Sequence, residues 1–185
     1  MKKNLFILLS ILLIGLVSCN KDPEVINEEE LITTLIYTLD APGSGADIVM
    51  TFKDIDGNGG NAPVVTTSSP LKLGDTYSGT LKVLNESVNP VDDISLEIKK
   101  EALNHQFFYE VIGAAKLTIS YDDKDSENNP LGLSTKVSAT GAGTAKLKVT
   151  LRHEPNKNGT GVSAGNIANA GGETDIEITF DIVVK

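Results

Sequence analysis

Leu31-Ile32-Thr33-Thr34-Leu35-Ile36-Tyr37-Thr38-Leu39 decides how the rest of the chain reads. Its residues divide into two alternating rows. Leu31, Thr33, Leu35, Tyr37 and Leu39 share one face, and Ile32, Thr34, Ile36 and Thr38 share the other. β-Branched and aromatic side chains suit a pleated surface, and Pro42-Gly43-Ser44-Gly45 stops the run, so the stretch predicts a strand. Residues 47–53, with Ile48, Met50 and Phe52 alternating, are its natural partner.

Working outward toward the C-terminus, strand patterns recur at 64–67, 77–85, 106–111, 116–121, 133–138, 146–152 and 175–184, punctuated by glycine, asparagine and proline. Short strands at this spacing predict an antiparallel β-sandwich, immunoglobulin-like or a partly closed barrel, over residues 31–185. One segment breaks the pattern. Asn89-Pro90 can start a helix, Asp92 and Asp93 suit its positive end, and Ile94, Ile98 and Ala102 recur at helical spacing, so a helix is expected over 92–104. Residues 155–172 are rich in small residues and read as one long irregular loop.

Toward the N-terminus the character changes. Lys2 and Lys3 precede an apolar run over residues 5–17, too short for an ordinary membrane span. Leu16-Val17-Ser18-Cys19 follows and resembles a bacterial lipobox, which implies removal of residues 1–18 and acylation of Cys19. Two or more acyl chains make a stable anchor, each buried methylene contributing about 0.8 kcal/mol. No aspartate follows the cysteine; Asn20 and Lys21 do, ahead of Asp22 and Glu24, and this resembles the surface-export signal of Bacteroidota lipoproteins. Residues 19–30, with Pro23 and Glu28-Glu29-Glu30, read as an acidic, extended tether.

The chain has 25 acidic and 16 basic side chains, and losing the leader removes two of the basic ones, deepening a formal net charge of −9. Such a surface repels phosphate backbones and excludes nucleic acid as the expected partner. The absence of tryptophan argues against a platform for stacking sugars. With its one cysteine assigned to lipid, the fold must stand without a disulfide.

Four patterns bear on chemistry. Asp54-Ile55-Asp56-Gly57-Asn58-Gly59 places oxygens at positions 1, 3 and 5 of a calcium-type loop with glycine at 6, and Asn61 adds another oxygen. Position 12 is Val65 rather than a bidentate glutamate, so the same residues also read as a tight turn. The acidic group Asp122, Asp123, Asp125 and Glu127 would supply missing calcium ligands if the two loops meet, and alone it reads as a solvated hairpin tip. His105 and His153, the two histidines, stand near Glu101 and Glu154; two imidazoles and a carboxylate suit zinc or iron if the rings meet. Their alternative is a pair of partly buried histidines hydrogen-bonded at strand ends. Gly161-Val162-Ser163-Ala164-Gly165 matches a nucleophile elbow in letters only. A turn-like stretch precedes it, and both histidines precede Ser163, whereas hydrolases of that type place the histidine after the serine.

Taken together, Glu28 to Leu35, Phe52 to Pro63, His105-Gln106-Phe107-Phe108, Leu151 to Asn156 and Asn169 to Ile176 are similar to a group of small flavobacterial lipoproteins. Such chains are often labelled "type 1 periplasmic binding fold superfamily", a two-domain α/β architecture of roughly twice this length. The residue patterns point instead to one β-rich domain. The resemblance implies an outer-membrane lipoprotein, on the periplasmic side or the cell surface. The expected function is a non-catalytic binding or accessory module, beside a TonB-dependent uptake receptor by analogy. The alternatives are a transition-metal-binding lipoprotein and a calcium-stabilised structural or adhesive domain, so Ca2+ and Zn2+ are the candidate cofactors.

Overall fold

A computed structural model describes residues 31–57 and 60–185. The leader, Cys19, the tether and Asn58 of the calcium-type loop lie outside the described residues. In chain order the elements are β1 (Thr34–Asp40), β2 (Ile48–Lys53), β3 (Val64–Thr67), β4 (Thr76–Leu84), α1 (Ile94–Lys100), β5 (His105–Gly113), β6 (Lys116–Tyr121), β7 (Ser134–Gly141), β8 (Gly143–His153) and β9 (Glu173–Val184). They form two antiparallel sheets, β3-β2-β1-β4-β7-β6 and β5-β8-β9, packed face to face as a sandwich that does not close into a barrel.

The opening alternation builds this architecture. Leu35, Tyr37 and Leu39 are fully buried, and β2 and β4 flank them in register, Leu35 opposite Phe52 and Val83, Tyr37 opposite Met50 and Leu81. The facing sheet contributes Phe107, Leu147, Val149, Leu151, Ile178, Phe180 and Ile182 to the same core. Burying a side chain of this size contributes about 1.5–3 kcal/mol. Gly79 stands on the core face of β4 because no Cβ fits there: one would lie 2.3 Å from Thr135 Oγ1 and 2.7 Å from the Tyr37 hydroxyl. That space lets Tyr37 reach Thr135 with a hydrogen bond of 2.6 Å, and burial pushes the Tyr37 phenol well above its ordinary pKa.

Two expectations are corrected. Leu31 does not join the core row; it is 52 % exposed, and β1 begins three residues later. The helix runs over Ile94–Lys100 rather than 92–104. Asn85 and Asp92 exchange two backbone hydrogen bonds, which hold Asn89-Pro90 in a closed loop and leave Asp93 as the N-cap. At the other end, Glu101 closes the helix and the Asn104 amide turns back to the Glu101 carbonyl, so His105 enters β5 at once.

The 155–172 segment is more ordered than its composition suggests. It contains two 3-10 turns, and Val162 and Ala170 bury against Phe108 on the outer face of the three-stranded sheet. Lys157 pins it from within. Its ammonium reaches Asp125 Oδ2 at 2.9 Å, the Pro130 carbonyl at 3.1 Å and the Ala102 carbonyl at 2.5 Å, using all three of its donors. The solvated-tip expectation therefore fails for two of the four acids. Asp125 is buried against Lys157, and Asp123 accepts the Gly132 and Ser134 amides at 2.7 and 3.0 Å.

Candidate metal centre

One end of the three-stranded sheet collects the start of β5, the end of β8 and the start of β9. The β5–β8 register sets His105 directly opposite His153. Directly paired residues share a face, and this is the core face, which His105 continues from Phe107 and His153 from Leu151. The rings meet edge to face with centroids 4.8 Å apart. The sequence poses the pair as a question of whether two residues 48 positions apart converge; antiparallel pairing answers it.

The carboxylate that completes the group is Asp175. Counted at period two along β9, Asp175 falls with the outward row of Glu177, Thr179 and Asp181, and nothing in the sequence marks it. The β8–β9 register shifts there: Leu151 opposes Ile176, whereas Arg152 opposes Thr174, so Asp175 is the extra residue of a β-bulge. A bulge re-aims its side chain, and this one turns Asp175 toward the histidines. Its Oδ2 lies 3.8 Å from His105 Nε2. One ligand atom from each of His105, His153 and Asp175 falls within 4.8 Å of the others.

The two glutamates expected as ligands take different places. Glu101 offers its backbone carbonyl, 3.1 Å from His105 Nδ1, and its side chain is exposed. A carbonyl only accepts, so Nδ1 carries the proton and Nε2 presents its lone pair toward Asp175. Metal-binding histidines are oriented by such a bond from the far ring nitrogen. Glu154 sits beside the pair, its Oε1 3.8 Å from His153 Nε2, but its side chain is 75 % exposed and it does not join the three-residue group. Burial pushes the His105 pKa below its ordinary value and outweighs the raising pull of the Glu101 carbonyl and Asp175, so the ring is neutral at pH 7.

Local backbone chemistry holds this end together. The Glu154 amide donates to the Asn104 carbonyl at 2.6 Å, tying the exit of β8 to the turn before β5. Gly172, at φ +68, passes so close that a Cβ would lie 2.2 Å from the His153 carbonyl oxygen; only glycine brings the chain back into β9 at that distance.

The calcium-type loop has a different character. Asp54 Oδ1 accepts the Gly57 amide at 3.0 Å, and Asp56 Oδ2 accepts both the backbone and side-chain nitrogens of Asn61 at 2.9 Å. Those bonds to Asn61 pull the Asp56 pKa below the usual carboxylate range. These carboxylates close a turn on themselves, with Gly57 at φ +65, as the turn reading expects. Ser163 lies exposed on the 3-10 turn Val162–Ala164 between left-handed Gly161 and Gly165, without the strand that an elbow requires before its serine.

Three groups at these separations suit a small divalent transition ion. Tetrahedral zinc places ligands at about 2.0–2.2 Å, hence neighbouring ligand atoms roughly 3.4 Å apart, so closing on an ion asks no pair of these atoms to draw in by more than about 1.4 Å. Two imidazoles and one carboxylate leave a fourth position for water or an incoming group. No protein-family model, curated protein or solved structure matches this chain.

Proposed function

We propose that this protein is a lipid-anchored, non-catalytic binding module of the outer membrane whose His105–His153–Asp175 centre takes a divalent transition metal, zinc by preference. The bulge at Asp175 is the observation that carries the reading: it spends a ladder pairing to bring a carboxylate to two histidines already opposed. The donor set favours nitrogen-binding ions over calcium, which prefers oxygen alone. The site's place at a sheet end, with side chains 8–18 % exposed, leaves it open to exchange with solvent. The lipobox ending at Cys19 and the basic-then-acidic segment after it support the membrane location, and a partnership with an uptake receptor rests on analogy.

Zinc titration by calorimetry tests the centre. Wild type should bind one zinc, and His153→Ala and Asp175→Asn should each weaken it more than tenfold, about 1.4 kcal/mol. Glu101→Gln should leave the affinity within threefold, because that residue serves through its backbone. Equal affinity in wild type, His153→Ala and Asp175→Asn would assign zinc uptake to the acidic surface and overturn the proposal.

A further inference from the structure

A second concave feature lies away from the histidines, between α1 and the connection from β6 to β7. The cleft has a volume of about 510 Å³, within the range of small-molecule sites. Its floor is apolar: Leu81 and Leu131 are buried there and Leu133 borders them. Leu96 and Leu103 stand on its α1 side, 60 % and 48 % exposed, an uncommon position for two leucines so close together.

Charge distinguishes the cleft from an ordinary groove. Among the described residues, Lys53, Lys72, Lys82, Lys136, Lys146, Lys148 and Lys157 each pair with a carboxylate. Of the five described lysines without such a pairing, Lys116 and Lys185 lie elsewhere, and Lys99, Lys100 and Lys124 all line this cleft, in a strongly acidic chain. The acids beside them are already engaged. Asp123 accepts two backbone amides, and Asp125 accepts the Glu127 and Asn129 amides as well as Lys157. Lys99 and Lys100 also complement the negative end of α1, which accounts for two of the three. It does not account for Lys124, which lines the cleft from the β6–β7 connection. The result is an apolar floor under a rim of three lysines whose charge the Asp123 carboxylate of the same lining offsets only in part.

We infer that this cleft binds a small amphipathic anion, a monocarboxylate with an apolar chain. The headgroup meets Lys99, Lys100 and Lys124, and the chain lies over Leu81, Leu131 and Leu133. A polyanion is disfavoured, because the rest of the surface is acidic and repels it beyond the reach of three lysines. An ion without a chain forgoes the floor, and a neutral chain forgoes the rim. The inference is independent of the metal centre: no residue of the His105–His153–Asp175 group lines the cleft.

Equilibrium dialysis of the full chain carrying Cys19→Ser against decanoate, below its micelle concentration, tests this. One decanoate should bind per chain. Substituting Lys99→Gln, Lys100→Gln and Lys124→Gln together should weaken decanoate at least tenfold and decanol less than threefold, with the melting temperature lowered by no more than a few degrees, because all three side chains are exposed and only the helix-end interaction of Lys99 and Lys100 is lost. Leu103→Asp, also at an exposed position, should weaken decanoate by a similar factor. The inference is overturned by no saturable binding, by equal decanoate affinity in wild type and the triple variant, by decanol binding as tightly as decanoate, or by acetate competing as well as decanoate. Lysine-dependent sedimentation with anionic phospholipid vesicles, without decanoate binding, would make the feature a lipid-surface contact and overturn it too.

Discussion

Replacing Lys157 by methionine should cost this protein about 3–5 kcal/mol of stability, the range for removing one partner of a buried ion pair. The side chains of Lys157 and Asp125 are 4 % and 0 % exposed. Methionine keeps the apolar stem and most of the volume but has no donor. Three acceptors lose their proton at once: Asp125 Oδ2 and the Ala102 and Pro130 carbonyls. Each buried acceptor left without a donor costs about 1–3 kcal/mol, and water entering beside Asn156 and Asn158 offsets part of that. Lys157 also joins three separate segments, the 155–172 loop, the turn after α1 and the β6–β7 connection, so their docking weakens together. Urea unfolding measures the loss: at about 2 kcal/mol per molar, the midpoint should fall by roughly 1.5–2.5 M. The double variant Lys157→Met/Asp125→Asn should be less destabilised than the sum of the singles by at least about 2 kcal/mol, since neither then strands a charge. A loss below 1 kcal/mol for Lys157→Met, or strict additivity in the cycle, would refute the reasoning.

The same pair sets an acid limit. Burial pushes the Asp125 carboxyl up, but Lys157 and the Asn129 and Glu127 amides outweigh it and hold its pKa below the usual range. A depressed folded pKa contributes stability that is present above the unfolded value of about 3.9 and disappears as pH falls through the folded one; acid unfolding below about pH 4 should therefore be shallower in Asp125→Asn than in wild type, and parallel curves would contradict it. Gly79→Ala forces a methyl against Thr135 Oγ1 and the Tyr37 hydroxyl and should cost about 2–4 kcal/mol from overpacking and a lost buried hydrogen bond; Tyr37→Phe should recover part of that, and a thermal melt showing none would point to backbone strain instead. Cys19→Ser should release the chain from the membrane fraction, and its retention through a carbonate wash would count against the lipid anchor.

Much of the architecture is local and therefore readable. The residues 64–67 and 116–121 are strands to the residue, and the other strands differ from their sequence patterns by one to three positions at an end. Period-two alternation with β-branched side chains is dictated by neighbours in the chain, and a half-buried sheet requires it. The helix was legible in kind but not in length, because good helix formers at Glu101, Ala102 and Leu103 lost to a turn that hands His105 to β5. Lys157 showed no signal at all: a lysine in a glycine- and asparagine-rich loop reads as solvated until the fold brings two carbonyls and a carboxylate around it.

The candidate centre divides along the same line. Sequence alone marked His105 and His153 by scarcity and context, and it supplied the β-sandwich class on which their meeting depends. Register decided that they face each other, because antiparallel pairing joins residues far apart in the chain and no local pattern sets which pair. It also chose the carboxylate. Glu101 and Glu154 are near in sequence, yet one gives only its carbonyl and the other points to solvent. Asp175 is near only in space, turned inward by a bulge that exists because two strands of unequal count must still align their cores, a constraint that acts between strands and leaves no trace within one.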